Sequence, residues 1–324
     1  MPYAIRIRAH GGPEVLQWEA VPAPEPGRGE VLIRQTAIGL NFIDVYERTG
    51  LYPGALPSGL GREGAGVVEA LGPRVRGLEI GDRVAYVSSQ PGAYAQQRVM
   101  AADRVVKVPE GVSDRLAAAA ILKGLTAWFL VRRTHRVARG DVVVVHAAAG
   151  GVGLILAQWA SLLGAQVIGV VGSDAKVEMA RAHGCDHVLV LGRDDLPARV
   201  RELTDGEGAR VVYDSVGKDT FLASLDCLRP LGLMVSFGNA SGPVSPIAPL
   251  ELQKRGSLFL TRPTLFHYTA RRAHLERGAR ELFSAIGSGA VRIEIGQCYA
   301  LQDAAQAHRD LEARRTIGST VLIP

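Results

Sequence analysis

Between residues 123 and 265 the chain alternates short, almost wholly apolar runs with amphipathic ones. The apolar runs are "DVVVVHA", "AQVIGVV", "DHVLVL", "RVVYDSV", "GLMVSFG" and "SLFLT"; between them lie stretches such as "KVEMARAHG" and "TFLASLDCLRP". Strands that are apolar on both faces, separated by helices, predict a doubly wound parallel sheet covered on both sides. Residues 1 to 122 follow another rhythm. Short β-type runs ("EVLIRQTAIG", "GAGVVEAL", "GDRVAYV", "AQQRVMAA", "VVKVP") are separated by Gly and Pro, which predicts a compact, mostly-β domain with irregular loops. The tail, 266 to 324, reads as a helix ("ARRAHLERGARELFSAIGSG"), a strand near "VRIEI", a helix ("LQDAAQAHRDLEARR") and a last strand, "STVLIP". Its expected place is back with the first domain.

The first apolar run of the α/β region leads into "HAAAGGVG" and then a helix. A dinucleotide fingerprint places G-x-G-x-x-G between strand and helix. Here the three positions are Ala148, Gly150 and Gly153. Ala148 keeps the turn small, Gly150 admits a pyrophosphate to the backbone, and Gly153 permits close helix–strand packing. The helix from about Gly151 would aim unpaired N–H groups at the phosphates. The α/β region is therefore expected to be of Rossmann type. NAD-binding sheets usually end the second strand on an acid that bonds the ribose hydroxyl. This strand ends on Val171 and is followed by Gly172, Ser173 and, one turn into the next helix, Lys176. Room plus positive charge points to NADP(H). Asp174 reads as a first-turn acid of that helix, and Lys176 reads equally as a solvated helix residue. "YDSVG" (213–217) and "SFGNA" (236–240) occupy the carboxyl ends of two further strands, where ligands bind in such sheets.

Composition narrows the function classes. The 324 residues carry a net charge of +5, and most of the basic residues are Arg. They are scattered, with small clusters near 132–139 and 271–280, whereas nucleic-acid binders concentrate charge on one face. A nucleic-acid partner is not expected. No run is long and apolar enough to span a bilayer, and the start shows no secretory h-region. The three cysteines, Cys185, Cys227 and Cys298, are too dispersed for a disulfide framework. A cytoplasmic location is expected.

The segments "AIGLNFIDVYERTGLYP", "LPSGLGREGAGVV", "LKGLTAWFL", "HAAAGGVGLILAQWA", "VVYDSVG", "GLMVSFGN" and "LEARRTIGSTVLIP", in this order, resemble the medium-chain dehydrogenase/reductase superfamily. Within it they are similar to the zinc-independent, zeta-crystallin-like NADPH:quinone oxidoreductases, over essentially the whole chain. The resemblance implies a GroES-like catalytic domain (1–122), a Rossmann NADPH-binding domain (123–265), a C-terminal segment (266–324) returning to the catalytic domain, a cofactor in the cleft, and a homodimer. It places Asn41 and Tyr46 at the nicotinamide end with Thr126 near it. Gly151 and Val152 would lie on the pyrophosphate, and Ser173 and Lys176 would face the 2′-phosphate. Ser215, Phe237, Gly238 and Asn239 would flank the cofactor, while Arg314 and Ser319 would close from the tail. One departure is Leu191, where bacterial relatives often carry Tyr; Arg193 nearby is an alternative anion contact.

The superfamily also contains zinc alcohol dehydrogenases, whose metal needs a Cys and a Gly-His-Glu segment. Here those regions read "GLNFID" and "GREG": Arg62 stands for the His, and no Cys occurs before Cys185. Zinc needs converging thiolate or imidazole ligands, so no metal is expected, and Glu63 and Asp44 are expected to tie loops together. A metal-free site lacks a strong Lewis acid and suits an acceptor that is already electrophilic: a quinone, or an activated α,β-unsaturated carbonyl. Orientation and exclusion of water are then the protein's tasks. The proton comes from Tyr46, Tyr52 or solvent. Lys123 is expected at the surface of a hinge. A reading from another class is a nucleotide- or nucleic-acid-binding or structural protein, which the intact nucleotide turn disfavours. Leu258, Phe259 and Leu260 predict an apolar sixth strand at the sheet edge, a pairing hazard unless covered, and hence the dimer contact.

Overall fold

The computed structural model describes all residues, 1–324. They form two compact units, one of Met1–Leu125, Thr269–Gly289 and Ile293–Pro324, the other of Thr126–Tyr268 with Ala290–Arg292.

The second unit holds a six-stranded parallel sheet. In chain order its strands are Val142–His146, Gln166–Val171, His187–Val190, Ala209–Asp214, Leu228–Ser236 and Phe259–Thr261. Across the sheet they run third, second, first, fourth, fifth, sixth. The order reverses beside the first strand, so the carboxyl ends of the first and fourth strands open at a topological switch point. Val144, Ile168, Val212, Met234 and Leu258 form the core on one face, with Phe221 and Leu225 from the helix Phe221–Asp226. Burial of Leu258 corrects the expected apolar edge: only Phe259 and Leu260, 60% and 40% exposed, face outward there.

The first unit is built on a seven-stranded sheet. Its main path runs Ile295–Ala300, Ser319–Ile323, Glu30–Leu40, Glu63–Leu71, Arg83–Val87, Val105–Lys107, and Gln97–Ala101 pairs with Glu30–Leu40. A three-stranded sheet (Gln17–Ala20, Tyr3–Ile7, Ser58–Gly59) accompanies it. Ile5, Ile33, Ile38, Val84, Tyr86 and Leu322 share one core with Ala304 and Ala307 of the helix Ala304–Glu312. The tail strand begins at Ile295, later than the "VRIEI" expected. Arg292 has its backbone N–H and C=O both bonded to the side-chain amide of Gln158, at 2.8 and 3.0 Å. A residue whose two main-chain groups are satisfied this way has none left for a ladder.

Candidate functional site

The predicted site residues fall in both units, and each unit presents a distinct arrangement. In the second, the strand Val142–His146 ends in a turn with Ala147 in the left-handed region, φ 50°. Ala148 is fully buried and its N–H donates to the Val170 carbonyl at 3.0 Å, which ties the turn to the second strand. The helix Gly151–Leu162 starts directly afterwards, with Gly150 as its N-cap. Gly150, Gly151 and Val152 are half-buried. A Cβ on Gly153 would sit 2.2 Å from the Ala147 carbonyl oxygen and 2.8 Å from Ala148 Cα, so only glycine fits. The first N–H groups of this helix and its positive end therefore stand behind a turn with no bulky side chain, an arrangement that suits a phosphate.

Beyond the second strand, Gly172, Ser173 and Asp174 are exposed and Lys176 is half-buried. Ser173 caps the short turn Asp174–Lys176 that precedes the helix Val177–Arg181. A Cβ at 172 would meet nothing within 4 Å, so this loop stays open. Arg193, exposed and beyond the third strand, is ion-paired with Asp174 and, at 3.3 Å, with Asp194. The side-chain bond from Asp194 and the charge of Asp174 hold its guanidinium above the ordinary range. The fold thus gathers Ser173, Lys176 and Arg193 around one exposed loop pair, with Asp174 as the competing acid.

The turns after the fourth and fifth strands lie against each other. Phe237 N–H donates to the Asp214 carbonyl at 2.7 Å and Ala240 N–H to the Ser215 carbonyl at 3.2 Å. A Cβ on Gly238 would come 2.3 Å from the Ser215 carbonyl oxygen, so this approach also demands glycine. Arg262 donates to the Gly238 carbonyl at 2.9 Å. Ser215, Phe237 and Asn239 are half-buried. The turn is shaped by Asp214, a residue that sequence reasoning did not single out. Its buried carboxylate accepts from the N–H of Val216 and Gly217, at 2.7 and 3.1 Å, and from the hydroxyls of Thr220 and Ser224, at 2.7 and 3.0 Å. Ser224 also meets His146 Nε2 at 2.9 Å, and burial holds that imidazole below its ordinary pKa. The only signal was an acid ending an apolar strand within "YDSVG". Thr126, in the same unit, is buried.

In the first unit, the helix Phe42–Thr49 carries Tyr46, which is buried. Its ring packs edge-on against Tyr52, centroids 5.1 Å apart, and lies 6.2 Å from Phe42. Asn41 caps the helix; its N–H donates to Asp44 Oδ2 at 2.9 Å in a capping box. Its side-chain Nδ2 donates to Glu63 Oε1 at 2.8 Å. Glu63 is wholly buried and also accepts from Lys123 Nζ and Leu122 N–H, both at 2.7 Å. Lys123, expected at a hinge surface, is 5% exposed: the pairing with Glu63 draws it inside. Arg62, which stands in the place of the expected His, pairs with Glu47 and bonds the Ser89 carbonyl. No group of three or more His, Cys, Asp or Glu is arranged to hold a metal ion.

A buried polar chain continues from Asp44. Tyr94 donates to Asp44 Oδ2 at 2.9 Å, His308 Nε2 lies 3.1 Å from the Tyr94 hydroxyl, and Arg48 Nη1 lies 3.2 Å from His308 Nδ1. Arg48 in turn forks onto Glu312 with two bonds of 2.8 Å. Because Tyr94 gives its proton to Asp44, His308 donates through Nε2 and accepts through Nδ1, and the ring is neutral. Burial, with Arg48 adjacent, pushes it down to about 3. Burial and the nearby Glu47 push Asp44 up to about 8, and its Oδ1 has no partner. Arg314 is exposed, with φ 59°. Ser319 is 1% exposed and its hydroxyl donates to the Ala119 carbonyl at 3.0 Å, so its side chain serves the interior of this unit rather than an open surface.

Residues 27–110 match the family described as "Alcohol dehydrogenase GroES-like domain", and residues 151–284 the family described as "Zinc-binding dehydrogenase". The chain is 51% identical to a quinone oxidoreductase of Pseudomonas aeruginosa, with all of both chains covered. It is 45% identical to a 2-haloacrylate reductase of a Burkholderia species, covering 100% of this chain and 99% of the relative. Among solved structures, the Escherichia coli quinone oxidoreductase complexed with NADPH superposes with a TM-score of 0.98 at 46% identity, covering 99% of this chain and 100% of that one.

Proposed function

The chain belongs to the quinone oxidoreductases of the medium-chain dehydrogenase/reductase superfamily, and from that premise we propose that it reduces quinones with NADPH, without a metal. The observation that carries this reading is the pair of glycine-only approaches at Gly153 and Gly238. Each keeps a turn at a strand's carboxyl end free of side-chain bulk, one beside a helix N-terminus. That cradle fits a dinucleotide.

In the proposed assignment, the N–H groups of Gly151 and Val152 bind the pyrophosphate. Ser173, Lys176 and Arg193 bind the 2′-phosphate. Ser215, Phe237, Gly238 and Asn239 flank the nicotinamide half and restrain its rotation. When bound, NADPH supplies the hydride. Asn41, Tyr46 and Thr126 orient the reactants, and Tyr46 or Tyr52 holds a proton at its phenolic oxygen for the reduced acceptor. The ion pairs Arg62–Glu47 and Lys123–Glu63 offer no open coordination position, so activation rests on orientation and water exclusion.

A second acceptor class, activated α,β-unsaturated carbonyls, is favoured by the similarity to a 2-haloacrylate reductase. We further propose a homodimer paired through Phe259–Thr261, where Phe259 and Leu260 face outward. A cytoplasmic location accords with three free cysteines. Steady-state rates with 1,4-benzoquinone and with an enone, each with NADPH and NADH after exhaustive chelation, test the reading. Quinone turnover preferring NADPH and surviving chelation is expected; a preference for NADH, or a metal lost together with activity, refutes it.

A further inference from the structure

A cleft of about 1230 Å³ opens within the first unit, and none of the residues assigned above to cofactor or acceptor lines it. Its walls are mainly the loop after the strand Glu63–Leu71, residues 102–112, and the helix Arg272–Gly287. On the helix, lining positions 272, 276, 280 and 284 recur every four residues, so a single face is presented. The walls are pinned to each other. Arg272 Nη1 donates to the Asp103 carbonyl at 2.8 Å, and Arg104 donates to the carbonyls of Thr269 and Ala270 at 3.1 and 2.9 Å. The loop is pinned as well: Gly72 N–H donates to the Glu30 carbonyl and Gly29 N–H to the Pro73 carbonyl, both at 2.8 Å.

The cleft has an aliphatic floor and a cationic rim. Val106, Val112, Ala279 and Phe283 are buried, and Val75 and Leu78 pack onto the core from the loop. The charged lining groups divide into those already paired and those not. Arg272 pairs with Glu276 at 2.8 Å, Lys107 with Asp82 at 2.8 Å, and Asp103 with Arg104 at 3.3 Å. Arg74, Arg76 and Arg280 are exposed and hold no ion pair or hydrogen bond. The remaining acid of the lining is Glu110. Unpaired guanidiniums therefore outnumber unpaired carboxylates, and the rim is positive. A guanidinium fork matches a carboxylate through two parallel hydrogen bonds, and aliphatic walls match a hydrocarbon chain. The volume exceeds the roughly 300–1,000 Å³ of ordinary small-molecule sites, which leaves room for an extended chain.

We propose that this cleft is a second binding site, for a monomeric aliphatic amphiphile with an anionic head, of which a long-chain carboxylate is the simplest. The head lies on Arg74, Arg76 and Arg280, and the chain runs along Leu78, Val106 and Phe283. The site is independent of the nucleotide turn. Isothermal calorimetry on the full chain tests it, with dodecanoate below its micelle concentration as the probe and dodecyltrimethylammonium as the charge control. Dodecanoate is expected to bind once per chain and the cationic amphiphile not at all. Arg74→Gln, Arg76→Gln and Arg280→Gln combined should bind dodecanoate about tenfold or more weakly, as expected when charged hydrogen-bond donors are lost. Ser284→Trp, at an exposed lining position of the helix, should fill the cleft and abolish binding. Both variants should melt like the wild type and keep its NADPH-dependent quinone turnover. Lack of saturable dodecanoate binding overturns the proposal, as does equal binding of the cationic amphiphile. A folded triple variant or a folded Ser284→Trp that binds like the wild type also overturns it. Attachment to phosphatidylglycerol vesicles without binding of monomeric dodecanoate overturns it too, because the occupant would then be a membrane surface.

Discussion

Asp44 makes the stability of this protein depend on pH in a direction opposite to that of an ordinary paired carboxylate. It is fully buried, both of its hydrogen bonds arrive at Oδ2, and Oδ1 has none. Burial, with Glu47 adjacent, raises it from 3.8 to about 8. The folded chain therefore keeps a proton that the unfolded chain has already lost. Between those two values the native state binds more protons, so stability falls as pH rises. His308, pushed down to about 3, acts with the other sign: its contribution is present above its unfolded value near 6.5 and is lost only as pH falls. Above pH 6.5 only about 0.4 kcal/mol of the His308 contribution is still to come, so Asp44 dominates. Linkage over the window from about pH 6.5 to about pH 8.5 gives a loss of about 2 kcal/mol. Asp44→Asn is nearly isosteric: its carbonyl can accept from Asn41 N–H and Tyr94, and its NH2 takes the place of protonated Oδ1. Equilibrium urea unfolding at several pH values reads the effect. The wild type should lose about 2 kcal/mol across the window while Asp44→Asn stays level and is the more stable of the two at the alkaline end. Parallel curves for the two proteins would show that Asp44 is ionised in the native state and that the reasoning is wrong.

Three further outcomes are expected. Gly153→Ala places a methyl 2.2 Å from the Ala147 carbonyl oxygen; it should cost about 1–3 kcal/mol in thermal or urea unfolding and weaken NADPH binding, because the turn must open to admit it. Lys176→Ala should raise the Michaelis constant for NADPH by the equivalent of about 1.5–3 kcal/mol and leave that for NADH nearly unchanged, whereas equal effects on both would remove Lys176 from the phosphate site. Light scattering should give about twice the 34.5 kDa chain mass, with Phe259→Lys lowering it at micromolar concentration; a dimer indifferent to that charge would place the contact elsewhere.

The fold was legible because its strands announce themselves. Runs such as "VVVVH" and "QVIGVV" are apolar at every position, which only a sheet buried on both faces rewards, and each is bounded by residues that break or cap. The turns after the first and fifth strands were legible for a similar reason: Gly153 and Gly238 are demanded by close backbone approach, and a glycine in such a place has a local cause. The tail strand was less so: it begins on Ile295, the last residue of "VRIEI", and where it starts depends on Gln158 reaching Arg292 from far away in sequence.

The sequence by itself determined the parallel sheet and the two turns where only glycine fits, at Gly153 and Gly238, since each follows from residue type and spacing along the chain. Only the tertiary structure decided where the isolated charges go. Lys123 looks like any surface lysine until Glu63, 60 positions away, is seen to receive it in the interior. Arg193 meets Asp174 across 19 positions, and Asp44 meets Tyr94 across 50. A charge acquires its role from the partner and the dielectric around it, and neither is written next to it in the chain.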